Sequence, residues 1–95
     1  MHRVERSEAF ENWLDSLRDE HAQFKIMQRI LRLEGDNPGD WKPVGDGVSE
    51  MRIDYGPGYR VYYTIRERVV YLLLYGGTEH DQDRAIKLAQ ELAKS

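Results

Sequence analysis

The hydrophobic and polar positions of this chain change their spacing near residue 40. Before that point, apolar side chains recur every three or four residues in two stretches, which predicts two amphipathic helices. Ser7 precedes the first stretch as an N-cap, and Gly35 ends the second. Two helices joined by a short turn at Asp19-Glu20 predict an antiparallel helical hairpin. The two apolar stripes are Phe10, Trp13, Leu14 and Leu17, then Phe24, Met27, Ile30, Leu31 and Leu33.

From Trp41 onward the pattern alternates with period two, which is typical of β-strands. A short strand over Val4–Arg6 precedes the helices, and a final helix, capped by Thr78 or Asp81, follows the strands. Gly76-Gly77 is expected to end the last strand. The predicted strands of this region are Trp41–Val44, Val48–Tyr55, Tyr59–Arg66 and Val69–Tyr75.

The predicted order of elements is β-α-α-β-β-β-β-α. It predicts an α+β fold in which an N-terminal helical hairpin packs on a mostly antiparallel sheet of four to five strands, with a C-terminal helix. The chain has 95 residues, which suits one domain over residues 1–95.

Residues 51–63 read MRIDYGPGYRVYY and predict a β-hairpin around Gly56-Pro57-Gly58. If Tyr55 faces Tyr59, the two strands present one apolar face and one polar face. The apolar face should pack on the helical hairpin. It would hold Met51, Ile53, Val61, Tyr63, Val70, Leu72 and Leu74, and the opposite face Arg52, Asp54, Arg60, Tyr62 and Tyr75.

Two arginines beside tyrosines form a surface that can bind phosphate bidentately and stack on bases. The alternative is an ordinary cross-strand ion pair between Asp54 and Arg60, on a sheet face where tyrosines are common. The pattern alone leaves both interpretations open.

The amino-acid composition excludes several kinds of site and classes of protein. The chain has no cysteine, which excludes disulfides, thiolate metal sites and thiol nucleophiles and fits a reducing, intracellular compartment. Its three histidines lack the spacing of metal ligands, so no metal site is expected. The longest apolar run, Val69 to Tyr75, is too short to cross a bilayer. A net charge of −3 argues against a simple nucleic-acid-binding domain.

The run GDGVSEMRIDYGPGYRVYY, from Gly45 to Tyr63, resembles the RelE/ParE toxin superfamily, and most of all its HigB-like addiction module killer branch. The resemblance covers nearly the whole chain. Further matching segments are Trp13-Leu14, Gly39–Pro43, Leu72–Gly77 and Gln82–Ile86.

The resemblance implies a RelE-like fold and a cytoplasmic toxin of a type II toxin–antitoxin pair. Many relatives are mRNA endoribonucleases that cut messages in the ribosomal A site, need no metal or cofactor, and so inhibit translation. The implied partners are the ribosome, mRNA and a HigA-like helix-turn-helix antitoxin. DNA would be contacted only through that antitoxin, and no membrane is involved.

The resemblance also assigns roles to residues. In the family reaction a 2'-hydroxyl attacks the adjacent phosphate and leaves a 2',3'-cyclic phosphate and a 5'-hydroxyl. Arg52 and Arg60 match positions that bind the phosphate, and Lys42 matches a basic position that would add charge or depress the pKa of a neighbour. Tyr75 is expected to act as general acid or to stack on a base, and Tyr62 to contact the RNA.

One departure from the family pattern bears on the function. Relatives often read Gly-Gly-Asp-Lys after the last strand, whereas this chain has Gly76-Gly77-Thr78-Glu79-His80. Glu79 replaces an expected lysine, which weakens phosphate binding. His80 would compensate as a proton shuttle, although a histidine in such a loop is more often merely exposed.

Two other functions therefore stay open. The first is a non-enzymatic, ParE-like inhibitor of DNA gyrase, which the net negative charge of the chain and Glu79 make more credible. The second is a decayed toxin that only binds its antitoxin.

Overall fold

The computed structural model describes residues 3–95, in which two helices separate a first strand from four later ones. The N-terminal half contains β1 (Arg3–Arg6), α1 (Glu8–Ser16) and α2 (Glu20–Glu34). The strands that follow are β2 (Trp41–Gly45), β3 (Val48–Ile53), β4 (Tyr59–Arg66) and β5 (Val70–Thr78). A 3-10 turn at Glu79–Asp81 leads into α3 (Gln82–Ala93).

The five strands form one mixed sheet in the order β1-β5-β4-β3-β2. The later strands pair antiparallel, but β1 lies parallel to β5, with Arg3 opposite Val70 and Arg6 opposite Leu73. The predicted fold class, with its mostly antiparallel sheet, is therefore wrong: the sheet is mixed. Period-two spacing identifies a strand but carries no information about its direction, so the parallel placement of β1 was not readable from the pattern.

Helices cover both faces of this sheet. The α1 and α2 side buries a core that includes Phe10, Ile26, Met51 and Val61. On the opposite side, α3 packs over a second core that contains Val48, Tyr62, Leu74, Ala85 and Ala89. The face that was expected to lie open, with arginines and tyrosines at the surface, is thus largely covered by the C-terminal helix.

The register between β3 and β4 differs from the predicted one, but the faces of the two strands do not. Between β3 and β4, Ile53 faces Tyr59 and Arg52 faces Arg60, a shift of two residues from the predicted pairing. A shift of two preserves the faces because side chains alternate with period two.

Between β4 and β5 a bulge lies at Tyr62/Tyr63 and inserts Leu74 as an unpaired residue. The turn before β5 spans residues 67–69, so Arg66 pairs with Val70 and Thr64 with Leu72, which puts Leu72 on the α3 side. The unpaired Leu74 also lies there, so the predicted contact of both leucines with the helical hairpin is wrong.

Two glycines that were expected to end the last strand instead lie within β5. A Cβ at Gly76 would lie 2.2 Å from Trp13 Cε3, and a Cβ at Gly77 would lie 2.7 Å from Asp81 Oδ1. Glycine is needed here because α1 and the turn before α3 approach the strand closely, not because the chain turns.

Side chains cap the starts of α1 and α2, whereas Asp81, the N-cap residue of α3, makes no side-chain capping hydrogen bond to that helix. Ser7 Oγ accepts a hydrogen bond from the Phe10 amide at 3.0 Å and donates one to the Leu74 carbonyl at 2.7 Å, so the cap of α1 also ties it to the sheet. Asp19 Oδ1 accepts from the amides of His21 and Ala22 and caps α2. Within residues 3–95, no helix is long and apolar enough to cross a membrane.

Candidate functional site

The predicted site residues of the sheet lie on the face that α3 covers. Residues that pair directly in an antiparallel sheet share a face. Glu50 pairs with Tyr62 and with Lys42, Arg52 pairs with Arg60, and Tyr62 pairs with Tyr75. The registers therefore bring Lys42, Arg52, Arg60, Tyr62 and Tyr75 to adjoining positions around Glu50.

Glu50 is the centre of this group and is completely buried. Its Oε2 accepts hydrogen bonds from the Tyr62 hydroxyl at 3.0 Å and from Gln82 Nε2 at 2.8 Å. Its Oε1 lies 3.2 Å from Arg52 Nε and 3.9 Å from Arg60 Nε. A buried carboxylate is stable only where it is paired and hydrogen-bonded, and here two guanidinium groups and two neutral donors satisfy it.

The two arginines differ in exposure. The Arg60 side chain is 10% exposed, whereas that of Arg52 is 37% exposed. Arg60 Nε is buried without a hydrogen-bond partner among the described residues, and its Nη1 makes only a long 3.5 Å contact with the Tyr59 carbonyl. Arg52 thus reaches solvent, while Arg60 is held below it with donor capacity that the protein does not use.

Tyr62 has a different role from the predicted one. The residue is fully buried, so its predicted contact with RNA is wrong. Burial raises the pKa of its hydroxyl, and the negative charge of Glu50 raises it further. The hydroxyl therefore stays protonated and serves as a permanent donor to Glu50.

The alternative ion pair between Asp54 and Arg60 is also wrong. Arg60 faces Arg52 across the two strands, and its guanidinium approaches Glu50. Asp54 is exposed just beyond the end of β3. The two-residue difference in register separates the pair that the sequence had placed together.

His80 lies in the exposed turn between β5 and α3. This turn begins with a hydrogen bond from the Thr78 amide to Asp81 Oδ1 at 2.8 Å and ends at Gln82, which binds Glu50. An open cleft of about 490 Å³ is lined by Glu79, His80, Asp81, Gln82, Asp83 and Arg84. His80 is therefore placed at the rim of the site and not inside it.

Glu79 and Arg60 both lie close to Gly58. The Glu79 amide donates to the Gly58 carbonyl at 2.9 Å. A Cβ at Gly58 would lie 3.3 Å from Glu79 Oε2 and 3.6 Å from Arg60 Nη1. The acidic residue that replaces an expected lysine thus sits next to the phosphate-binding candidate.

Sequence reasoning missed Glu50 and Gln82. Glu50 stands two positions before Arg52 in a strand, which predicts that the two share a face, but the predicted register left Glu50 without its partners. Gln82 carried no signal of its own at the helix start. Within residues 3–95, no group of three or more histidine, aspartate or glutamate side chains is arranged to hold a metal ion.

No family model matches the chain. The chain is 47% identical over 85 residues to an uncharacterized protein of Haemophilus influenzae (strain ATCC 51907 / DSM 11121 / KW20 / Rd). The matched segment covers 90% of this chain and 86% of the other protein. Identity at this level, over most of both chains, indicates common ancestry and a common fold.

Proposed function

The chain belongs to the family of this Haemophilus influenzae protein, and we propose that it is the toxin of a type II toxin–antitoxin pair. Its proposed activity is that of a metal-independent, ribosome-dependent mRNA endoribonuclease that inhibits translation in the cytoplasm. One observation carries the proposal: Arg52 and Arg60 approach a single buried carboxylate at 3.2 and 3.9 Å. These are the positions where the resemblance to the RelE/ParE superfamily expects phosphate ligands.

The arrangement suits phosphoryl chemistry. Attack of a 2'-hydroxyl on the adjacent phosphate places extra negative charge on the phosphoryl oxygens in the transition state. Donors that are already oriented stabilise this charge without reorganising. Tyr62 and Gln82 hydrogen-bond to Glu50, Glu50 holds Arg52 Nε at 3.2 Å, and the exposed part of Arg52 is available to a phosphate.

Two further residues would supply the proton transfers. Tyr75 is half-buried and adjoins Tyr62 in the sheet, and His80 lies at the rim. An imidazole exchanges protons near neutral pH and suits the base that activates the 2'-hydroxyl. Tyr75 would then protonate the departing 5'-oxygen or stack on the neighbouring base.

The proposal includes its partners. A HigA-like helix-turn-helix antitoxin would neutralise the toxin and link it to DNA, and the ribosome would present the mRNA. Lys42 is exposed on the edge strand β2, beside Glu50 in register, and would add positive charge for the message.

Primer extension on a reporter mRNA tests the proposal, in a translating extract with and without the purified protein. We expect cuts that appear only while the message is translated. Arg52→Gln should abolish them without unfolding the protein, since Arg52 is partly exposed. Arg68→Gln, in the exposed turn between β4 and β5, is the matched control and should cut normally. If the message stays intact with wild-type protein, the proposed nuclease activity is wrong.

Glu79 favours one alternative. Its carboxylate beside Gly58 and Arg60 opposes the approach of a phosphate, and a ParE-like gyrase inhibitor needs no phosphate site. A gyrase supercoiling assay separates the two functions, because a ribosome-dependent nuclease leaves supercoiling unchanged. A protein that is inactive in both assays and harmless when expressed alone would be a decayed toxin.

A further inference from the structure

A second group of cations lies on α2, away from the site under α3. Lys25, Arg29 and Arg32 recur at helical spacing and so share one side of the helix. From His21 to Arg32 the sequence contains these three cations and no acidic residue, although the whole chain has a net charge of −3. The three side chains line a pocket of about 180 Å³ against the end of β3, which we call the α2 pocket. Its lining is completed by Gln28, Ile53 and Asp54.

The cations of the α2 pocket form no ion pairs with the described residues. Across residues 3–95, no carboxylate forms an ion pair with Lys25, Arg29 or Arg32. Asp54 lines the pocket but also makes no ion pair there. An anion bound in the pocket would meet three positive charges, opposed by the carboxylates of Asp54 in the lining and of Asp40 near Arg29.

Arg29 is held rigidly at the floor of the pocket. Its guanidinium donates to the carbonyls of Arg52, Pro38 and Asp40, the last two at 2.8 and 3.3 Å. Burial lowers the pKa of Arg29, and the neighbouring charge of Arg32 lowers it further. The fold thus brings two guanidinium groups together against their repulsion, which a bound anion would relieve.

Aromatic rings lie at the N-terminal end of α2, next to Lys25. The His21 ring stacks on Phe24 at 6.3 Å between centroids and lies 5.2 Å from the Tyr55 ring. Lys25 Nζ is 5.6 Å from the centre of the Tyr55 ring. Phe24 is 57% exposed, so its ring is available to a flat ligand. We refer to His21, Phe24 and Tyr55 as the aromatic rim.

We propose that the α2 pocket and its aromatic rim bind single-stranded RNA, with a phosphate between Lys25 and Arg32 and a base stacked on Phe24. A cationic groove beside exposed rings is the usual combination in sequence-tolerant binding of single strands. The choice of RNA, over another single-stranded nucleic acid, rests on the proposed function. Arg29 binds the backbone carbonyl of Arg52, so the strand bound here would lie at the end of β3, on the side of the sheet opposite the candidate catalytic face. An acidic peptide would satisfy the cations but would leave the aromatic rim unused.

Fluorescence anisotropy with a labelled single-stranded RNA of about 12 nucleotides tests the proposal directly. The double variant Lys25→Gln/Arg32→Gln should bind at least about fivefold more weakly than wild type. Its plot of log affinity against log salt should be shallower by about 0.7, because each phosphate of a single strand that the protein neutralises contributes about 0.7. The charge-matched control, Arg68→Gln/Lys87→Gln, should bind as wild type does. Equal losses in both double variants, or no RNA binding by wild type, would overturn the proposal.

A second pair of variants tests the aromatic rim. Phe24→Ala should weaken RNA binding, whereas Leu31→Ala should not, although Leu31 is 65% exposed on the same helix. Polyglutamate of equal charge should compete poorly with RNA. If it competes as well as unlabelled RNA, the pocket is a site for acidic peptides and the proposal fails.

The two proposals can fail separately. If the message stays intact in the translating extract but RNA binding depends on Lys25 and Arg32, the nuclease fails and the RNA site stands. If the message is cut and the double variant binds RNA as wild type does, the RNA site fails alone.

Discussion

At the scale of single residues, Glu50 links the stability of this protein to its candidate chemistry. The same carboxylate that is completely buried under α3 orients Arg52 and lies within 3.9 Å of Arg60. Sequence reasoning found both arginines because the Gly-Pro-Gly turn and the alternation around it are strong local signals. It missed Glu50 because its burial depends on a helix more than 30 residues away along the chain.

Replacing Glu50 with glutamine tests this link. Glu50→Gln keeps the size of the side chain but removes its charge, so Arg60 is left almost fully buried beside a neutral amide. We expect the free energy of unfolding to fall by about 3 kcal/mol, as is typical when one partner of a buried ion pair is removed. Urea denaturation measures the change.

Glu79→Gln is the matched control. It removes the same charge at an exposed position near Arg60, and the free energy of unfolding should change by less than about 0.5 kcal/mol. If Glu50→Gln is as mild as Glu79→Gln, then Glu50 does not carry the charge that balances Arg60.

At the scale of elements, local periodicity predicted where the strands lie in the sequence better than it predicted how they pair with one another. The predicted β4, Tyr59–Arg66, is confirmed to the residue, and the faces of β3 and β4 are correct although their register moved by two. In β5 the register set by the turn places Leu72 on the other face, the unpaired Leu74 lies there too, and the strand continues through Gly76-Gly77. Glycine is required at these two positions because of the nearby Trp13 and Asp81 side chains, which a local pattern does not contain.

One contact between elements makes a prediction about pH. The Tyr55 hydroxyl, just after β3, donates to Asp19 Oδ2 at 2.9 Å, at the N-cap of α2. This hydrogen bond is the main cause that lowers the pKa of Asp19 below its ordinary value of 3.8. The stabilisation is therefore present above pH 3.8 and is lost as the pH falls through the lowered pKa of the folded state.

Tyr55→Phe should reduce this dependence on acid. Between about pH 5 and pH 2.5, the urea midpoint of wild type should fall further than that of Tyr55→Phe. Tyr75→Phe removes a hydroxyl elsewhere and should keep the full wild-type dependence. Parallel curves for wild type and Tyr55→Phe would show that the Asp19 contact contributes nothing in solution.

At the scale of the whole molecule, a layer of helix on each face of the sheet decides what the polar face can do. An open face would have presented Arg52, Arg60 and Tyr62 together to a ligand. Tyr62 packs under α3 and Arg60 is also buried, whereas Arg52 stays partly exposed and the turn at His80 lines an open cleft. Composition and periodicity predicted the final helix but not which face it covers, because its apolar side fits either one.

The second core therefore depends on α3, and so should the site above it. Ala89 is completely buried between α3 and the sheet, whereas its neighbour Leu88 is 37% exposed. Ala89→Asp would bury an unpaired carboxylate and should destabilise the fold by about 3 kcal/mol or more, whereas Leu88→Asp should cost less than about 1 kcal/mol. Thermal melts of both variants measure the difference. Equal melting temperatures would mean that α3 does not pack on this face, and the buried setting of Glu50 and Arg60 would then be lost with it.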